Sequence, residues 1–450
     1  MEKLFEGNIR KNFLNFAIPL VFSALLSQAY NIIDTVMASK LIGDVAVAAI
    51  GSTSPFITLI SSIFWGYGTG FSIYIAVLFG SGEYKKMLNV IKTNLLIGSV
   101  AAILISVLCI VFYNSIFDFL NIEADIRKDA FAYFSVYIGG IIFLNLVWCG
   151  MYVSNSMGLS RMPFIASIVT CVLNITGNFV LIKICGLGVT GAAIATIFSA
   201  FCVAVFYIVT LTKIFTDMGL EIKSIYFSKE ELKSTINYAV PSLLQQSVMY
   251  LCTAIVSPLT NLSGQSAIAG YTMSMRLYDL NAGVYQNANK TVSTYVAQCV
   301  GAKKYTMIKK GISTALSQTL LFLAPFLIVT VFGAGVISKT FLNETDSIHY
   351  CKVFLQFCMP FILFNVINNT AHAIFRSAGA GKFLVVSTVI YAVSRVIYSY
   401  ALFGRYEMYG IYAAVVLSWI TEAIFGIAVY VSGKWKSKEY KEAEKREVTV

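Results

Sequence analysis

The sequence predicts an all-α integral membrane protein with twelve transmembrane helices in two six-helix lobes. Three observations support this fold class. The 450-residue chain is 58% hydrophobic and 12% charged, apolar runs of roughly 20 residues or more recur from end to end, and the second half of the chain repeats the first. Because each repeat holds an even number of spans, we expect the lobes to be related by a pseudo-two-fold axis along the membrane normal.

The apolar runs are long enough to cross a hydrocarbon core of about 30 Å as helices. The first run contains Asp34, lacks a small-residue cleavage site and belongs to the repeat, so we expect a transmembrane helix there and not a removable signal peptide. The predicted spans are residues 13–39, 45–79, 89–117, 130–152, 163–184, 188–212, 234–258, 265–297, 311–336, 349–373, 383–403 and 409–432.

The net charge of +11 is distributed unevenly. With the N-terminus placed in the cytoplasm, 23 of the 33 Lys and Arg residues lie in the two terminal tails and the even-numbered loops, and 7 lie at the opposite face. This positive-inside bias predicts a multi-pass protein of the cell membrane with both termini in the cytoplasm. The basic tail is then a topology signal with affinity for anionic membrane lipid, and no nucleic-acid partner is expected.

The repeat defines the predicted domains. "NFAIP" (15–19) matches "NYAVP" (237–241) at an offset of 222. After a one-residue gap the offset is 221. Gly43 then matches Gly264, Ser156 matches Ser377 and Gly158 matches Gly379. We predict an N-terminal six-helix lobe (1–212), a cytoplasmic linker (213–233), a C-terminal six-helix lobe (234–432) and a basic cytoplasmic tail (433–450).

Asp34 is an acidic residue in an otherwise uncharged stretch, residues 12–39. An ionised Asp near a helix centre in lipid costs roughly 2.5–3.5 kcal/mol on insertion scales, so it needs a cavity, a partner or a proton. Ser27, Asn31 and Asp34 recur at i, i+4 and i+7 and share one helix face, which predicts that this face lines an interior. The alternative is a carboxylate solvated at the outer interface.

Five segments occur in a characteristic order: "NIIDTVMASKLIGDVAVAAIG" (31–51), "LFGSGEYKKM" (78–87), "LNITGNFVLI" (173–182), "GLGVTGAAIATIFS" (186–199) and "VGAKKY" (300–305). Together they resemble the multidrug and toxic compound extrusion (MATE) transporters, within a wider group that includes lipid-linked oligosaccharide flippases. The resemblance covers nearly the whole chain.

The resemblance implies a cation-coupling site in the N-terminal lobe. It assigns Asp34 as the first-helix carboxylate, Asn174 as the fifth-helix amide and Thr196 as the sixth-helix hydroxyl. Asn178 departs from the pattern, because some members carry a second aspartate there. These hard oxygen ligands suit H⁺ or Na⁺, and with a single carboxylate we expect H⁺. Ordinary interhelical hydrogen bonding is the alternative for the uncharged residues.

Other positions of the N-terminal lobe are candidates for substrate contact and bending. Pro19 cannot donate a backbone hydrogen bond, so it is a candidate helix hinge or a purely structural kink. Aromatic rings attract lipophilic cations, although most aromatic residues of a membrane protein serve in packing. The candidates for the substrate cavity are Tyr30, Asn31, Phe56 and Tyr137.

The C-terminal lobe has no copy of Asp34. A different polar network is expected there, with a fixed ion pair within the eighth span as the alternative. Its candidates are Arg276, Asp279, Lys290 and Arg395. Glu422, in the last span, either pairs with Arg395 or lies near an interface.

We expect a secondary antiporter that exports small organic, often cationic, compounds as H⁺ or Na⁺ runs inward by alternating access, acting as a monomer without a cofactor. A flippase for a lipid-linked precursor is the alternative; it would favour a cavity lined by several basic residues, whereas only Arg276, Lys290 and Arg395 lie well within spans. An enzyme is not supported, because the two histidines are 23 residues apart and no HExxH, nucleophile-elbow or P-loop motif occurs.

Overall fold

The protein is described by a computed structural model that covers residues 3–222 and 226–448, apart from the side chains of residues 31, 32, 35, 36, 38, 39, 44–47, 447 and 448. The described residues form helices and no strand. The helices are α1 (Ile9–Ile42), α2 (Asp44–Ser81), α3 (Tyr84–Val111), α4 (Tyr113–Phe119), α5 (Arg127–Gly139), α6 (Ile141–Ser156), α7 (Arg161–Asn178), α8 (Gly188–Asp217), α9 (Lys229–Asn261), α10 (Gln265–Gly301), α11 (Met307–Phe332), α12 (Ala334–Phe341), α13 (Thr345–Phe357), α14 (Ile362–Ser377), α15 (Gly381–Ser432) and α16 (Lys438–Val448).

Nine helices among the described residues are long and apolar enough to cross a membrane, and the pair α5 and α6, bent by 46°, adds a tenth span. α15 is interrupted at Glu407, where φ is 47°, so it supplies two spans. α10 brings the number of spans to twelve. It is more polar than the other spans because it carries a run of amide and hydroxyl side chains. The all-α, twelve-span prediction is confirmed.

The internal repeat appears as paired backbone and side-chain features. Gly43 and Gly264 immediately precede α2 and α10 with φ of 105° and 88°, a backbone region that disfavours side chains. The Ser156 hydroxyl donates to the carbonyl oxygen of residue 72 at 2.7 Å. Its counterpart Ser377 donates to the carbonyl oxygen of residue 293 at 2.8 Å. The offset of 221 therefore relates equivalent hydrogen bonds as well as equivalent residues.

The chain divides into two compact units. The N-terminal unit is Phe22–Asn237, and the C-terminal unit is Met1–Val21 together with Tyr238–Val450. α1 and α9, the first helices of the two repeats, each contain a proline and each pass from one unit to the other.

The first residues of the chain pack within the C-terminal unit, whereas the predicted N-terminal lobe begins at residue 1. Phe5, Phe13 and Phe16 are at most 3% exposed and join a hydrophobic cluster with Tyr295 and Phe375. The rings of Phe13 and Tyr295 meet edge to face with centroids 4.9 Å apart. Burial of these aromatic side chains explains why the start of the chain belongs to this unit.

The described parts of the predicted linker and tail include helical residues. α8 extends to Asp217 and α9 begins at Lys229, so both helices run into the predicted linker, 213–233. The tail, 433–450, contains α16, and its residues Trp435 and Tyr440 are only 3% and 5% exposed.

Candidate functional site

Four polar side chains of the N-terminal unit form one line of hydrogen bonds between α1, α7 and α8. Asn178 Nδ2 donates to Asp34 Oδ1 at 2.6 Å and to Asn174 Oδ1 at 2.8 Å. Asn174 Nδ2 donates to Thr196 Oγ1 at 3.1 Å, and the Thr196 hydroxyl donates to the Ala192 carbonyl oxygen at 3.1 Å. The fold thus brings together the four residues predicted for the cation-coupling site, whose role in coupling stays a prediction.

The local sequence explains how these side chains meet. Asn174 and Asn178 are one turn apart on one face of α7, and they are 0% and 1% exposed. A Cβ atom on Gly177 would lie 3.0 Å from Ala195 Cβ, so small residues allow α7 and α8 to approach closely. The backbone then widens into a π-helical turn at Phe179–Ile184, a feature that is frequent at functional sites.

The Asp34 carboxylate has a neutral partner. It is half-buried, and no Lys or Arg forms an ion pair with it among the side chains that the structure describes. Both hydrogens of the Asn178 amide are donated, and Asn178 Oδ1 is buried without a hydrogen-bond donor in the described part of the chain. The carboxylate and this oxygen are hard acceptors with which a proton or a small cation can interact.

Aromatic residues predicted to contact substrate lie beside the carboxylate. Tyr30 on α1 and Tyr137 on α5 are both close enough to Asp34 for an electrostatic interaction. Tyr137 stacks on Tyr133 with ring centroids 5.9 Å apart. Phe56 packs against a hydrophobic cluster to which α2, α3, α4, α5 and α6 contribute. Contact of these rings with substrate stays a prediction.

α1 carries two further candidates. The side chain of Asn31 lies outside the described residues. Pro19 is inside the helix, which passes from the C-terminal unit to the N-terminal unit between Val21 and Phe22. Because proline removes one backbone hydrogen bond close to this crossing, the position suits a bend. Its role as a hinge stays a prediction.

Among the described residues, no hydrogen bond or ion pair joins the four polar residues predicted for the C-terminal lobe to one another. Arg276 and Asp279 are exposed, and within the described chain no ion pair joins them. Lys290 Nζ donates to Asn287 Oδ1 at 2.8 Å. Arg395 Nη1 donates to a backbone carbonyl at 3.2 Å. Lys290 is three turns beyond Asp279, which is roughly 16 Å along α10, and Arg395 lies on another helix.

Sequence reasoning missed a second group of buried polar side chains, which lies in the C-terminal unit. Its members are Gln245, His372, Arg376, Ser387 and Glu422. Glu422 is 4% exposed, and its Oε1 lies 3.0 Å from His372 Nε2, so its partner is His372 and not Arg395. The available signal was the spacing of His372 and Arg376, two polar residues one turn apart in an apolar span.

Comparisons with known proteins identify the family of this chain. The MatE family model matches residues 19–180 and 238–401, one match in each repeat. Multidrug export protein MepA of Staphylococcus saprophyticus subsp. saprophyticus is 21% identical over 407 residues, which are 90% of each chain. MepA of Staphylococcus aureus (strain MSSA476) is 22% identical over 385 residues, 86% of this chain and 85% of the relative.

Solved structures show the same fold. A MOP superfamily transporter from Pyrococcus furiosus superposes with a TM-score of 0.87 at 20% identity, covering 96% of this chain and 98% of the other. The Vibrio cholerae MATE transporter VcmN, as a mutant, gives a TM-score of 0.87 at 17% identity, covering 97% of both chains. The family model matches more than half of the sequence. The resemblance first seen in the motifs is confirmed, and this chain belongs to the MATE family of transporters.

Proposed function

We propose that this protein is a secondary active antiporter that exports small organic, often cationic, compounds in exchange for protons. Membership of the MATE family supports transport, and the relatives named multidrug export protein support this class of substrate. The observation that carries the proposal is the half-buried Asp34 carboxylate, hydrogen-bonded to Asn178 in a unit of apolar helices. A carboxylate in this environment is tolerated when its charge is neutralised during function.

The site favours a proton over Na⁺ as the coupling ion. Asp34 is the one carboxylate among the four linked side chains, so a single proton neutralises it. Na⁺ would need several oxygen ligands, and Asn178 contributes one uncharged oxygen while its N–H groups are already donated. Sodium coupling is therefore the second choice.

Protonation of Asp34 on Oδ1, the oxygen that accepts from Asn178, reverses the direction of the hydrogen bonds. A protonated carboxyl donates, and Asn178 Oδ1 becomes the acceptor when the amide turns over. Asn174 must then turn as well so that its Nδ2 donates to Asn178, and the Thr196 hydroxyl donates to Asn174 Oδ1. One proton thus reorganises contacts among three helices, which links ion binding to alternating access. Tyr30 and Tyr137 interact electrostatically with Asp34, and this supports a role for their rings in binding a cationic substrate while the carboxylate is ionised.

We infer the location in the cell from the distribution of charge. The excess of basic residues in the tails and even-numbered loops supports a cell-membrane location with both termini in the cytoplasm. We expect the protein to act as a monomer, because each repeat supplies six spans to one chain.

The test is transport by the purified protein in liposomes loaded with a fluorescent cation such as ethidium. The pH gradient and the Na⁺ gradient are imposed separately. Efflux driven by the pH gradient alone supports proton coupling, and efflux driven by Na⁺ alone would replace H⁺ with Na⁺. Empty liposomes give the leak. The absence of efflux under both gradients, for a panel of organic cations and with folded protein, would overturn the proposal.

A further inference from the structure

A second buried polar group, in the C-terminal unit, is centred on His372 of α14. His372 Nδ1 lies 2.9 Å from Gln245 Nε2 on α9. His372 Nε2 lies 3.0 Å from Glu422 Oε1 and 3.1 Å from Ser387 Oγ, both on α15. Arg376 Nη2, one turn further along α14, donates to Gln245 Oε1 at 2.6 Å. The group therefore joins three helices through one imidazole ring.

Arg376 determines which way Gln245 points. A guanidinium group donates hydrogen bonds and accepts none, so the Gln245 atom facing it must be the carbonyl oxygen. The amide nitrogen of Gln245 then faces His372 and donates to Nδ1.

The orientation of Gln245 in turn determines the state of His372. Because Nδ1 accepts a hydrogen bond, it carries no proton, and the ring must carry its proton on Nε2. Nε2–H donates to Glu422 Oε1, which also accepts from the Ser387 hydroxyl at 3.2 Å. While these contacts hold, His372 is neutral. An imidazolium would direct a second N–H at the N–H of Gln245, so protonation requires this contact to break.

The pair is buried among few other titratable groups. The His372 and Glu422 side chains are 9% and 5% exposed, so a proton there is shielded from bulk water. Arg376 is the charged neighbour on α14, and α9 contributes the uncharged Gln245. Glu422 also interacts electrostatically with Tyr285 of α10 and Tyr391 of α15. A neutral base next to an acid in such surroundings is an acceptor for one proton.

We propose that the His372–Glu422 pair is a proton-binding site of the C-terminal unit and that Gln245 links its occupancy to the contact between α9 and α14. When His372 Nδ1 takes up a proton, the hydrogen bond from Gln245 is lost, and within this group α9 is then held to α14 by the Arg376–Gln245 hydrogen bond alone. α9 is the repeat counterpart of α1, so each unit then has a proton site that acts on the first helix of its repeat. A contribution to transport rests on the proposed antiport function; proton binding itself does not.

The chain has two histidines, His349 and His372. Nitrogen NMR of ¹⁵N-histidine-labelled protein in nanodiscs therefore reports the protonation state of the His372 ring. His349→Gln removes the other signal, from an exposed residue of α13. We expect the neutral Nε2–H tautomer at the alkaline end and conversion to imidazolium within a titration from about pH 9 to about pH 5. The Nδ1–H tautomer, or one unchanging state across the titration, would overturn the proposal.

Gln245→Glu tests the coupling residue. A carboxylate accepts from Nδ1–H, so it stabilises the imidazolium and should raise the pH midpoint by about one unit or more. Gln246→Glu is the matched control one position away, and its midpoint should stay near that of the parent. Equal midpoints for Gln245→Glu and the parent would contradict the proposal. Gln245→Leu, which removes the opposing N–H without adding charge, should also raise the midpoint, and it serves if the first variant fails to fold.

Efflux measurements test the antiport function independently of proton binding at His372. If efflux depends on Asp34 but His372 does not titrate as described, the antiport proposal stands and the second site is wrong. If His372 titrates as described but no organic cation is exported, the proton site stands without the antiport function. In a transport-active protein we expect Gln245→Leu to shift the pH profile of efflux in the same direction as the NMR midpoint.

Discussion

Asn178 donates a 2.6 Å hydrogen bond to the Asp34 carboxylate across the contact between α7 and α1. The partner of the acid is therefore a neutral amide. The Asn178 amide can turn so that either its nitrogen or its oxygen faces Asp34. It can therefore hydrogen-bond to the ionised carboxylate and to the carboxyl that carries one proton.

Asp34→Asn is expected to reach the membrane in normal amount and to lose gradient-driven efflux. Asparagine preserves the size of the side chain and its acceptor for Asn178, but it cannot ionise. Protein level and efflux of a fluorescent cation under an imposed pH gradient are measured together. Normal expression with near-normal efflux would refute the coupling role, and loss of both would indicate a structural role.

Asn178→Asp is expected to increase the dependence of transport on Na⁺. A second carboxylate at about 4 Å from a bound cation adds on the order of 4 kcal/mol of attraction at an effective dielectric constant of 20, before desolvation reduces it. We expect the Na⁺ concentration for half-maximal transport to fall by about tenfold or more. An unchanged ion dependence would mean that residue 178 does not contact the coupling ion; Asn178→Gln controls for the change of side chain without added charge.

Thr196→Val is expected to weaken efflux moderately, and Thr196→Ser to preserve it. The hydroxyl of Thr196 accepts from Asn174 at 3.1 Å, and it becomes the donor when the hydrogen bonds reverse. Loss of one such bond costs about 0.5–1.5 kcal/mol, or roughly a two- to tenfold reduction in rate. Equal efflux by the valine and serine variants would show that the reversal does not include this residue.

The linker between the repeats and the tail should both be cytoplasmic. In intact cells, an impermeant thiol reagent should leave Ser228→Cys unlabelled in a background without other cysteines. The exposed native Cys185, between the predicted fifth and sixth spans, should be labelled when it is the single cysteine present. Labelling in the opposite sense would invert the topology of the whole chain.

Trp435→Ala is expected to release the C-terminal tail. Trp435 is 3% exposed, stacks on Tyr430 with centroids 5.7 Å apart and donates to its carbonyl oxygen at 3.1 Å. Truncation of a buried tryptophan costs about 3–5 kcal/mol, so cleavage of the tail by trypsin should become faster. Lys434→Ala, at an exposed neighbour, should leave the other tail sites as resistant as in the parent. Equal cleavage of the alanine variant at 435 and the parent would show that the tail is not held by this residue.

Much of the architecture could be predicted from sequence because the signals are local. Twelve apolar runs and the offset of 221 residues reflect the length of a helix in a bilayer and the duplication of one six-span unit. The match of Gly43 with Gly264 is also a local signal. Both residues have positive φ, and this backbone conformation favours glycine at each position. Asp34 stood out because a carboxylate within an apolar helix is costly.

The partners of the charged residues depended on helix packing. Sequence placed Arg276, Asp279, Lys290 and Arg395 in one network, but the hydrogen bonds that the structure describes for Lys290 and Arg395 go to other groups. Only the packing of α14 against α15 brings His372 to Glu422, 50 positions later in the chain. The tail was predicted from its charge alone, and its two buried aromatic residues pack on a surface that no local pattern reveals. The sequence by itself determined which segments are helices and which residues are costly to bury; the tertiary structure decided which side chains meet, because those contacts join residues from distant parts of the chain.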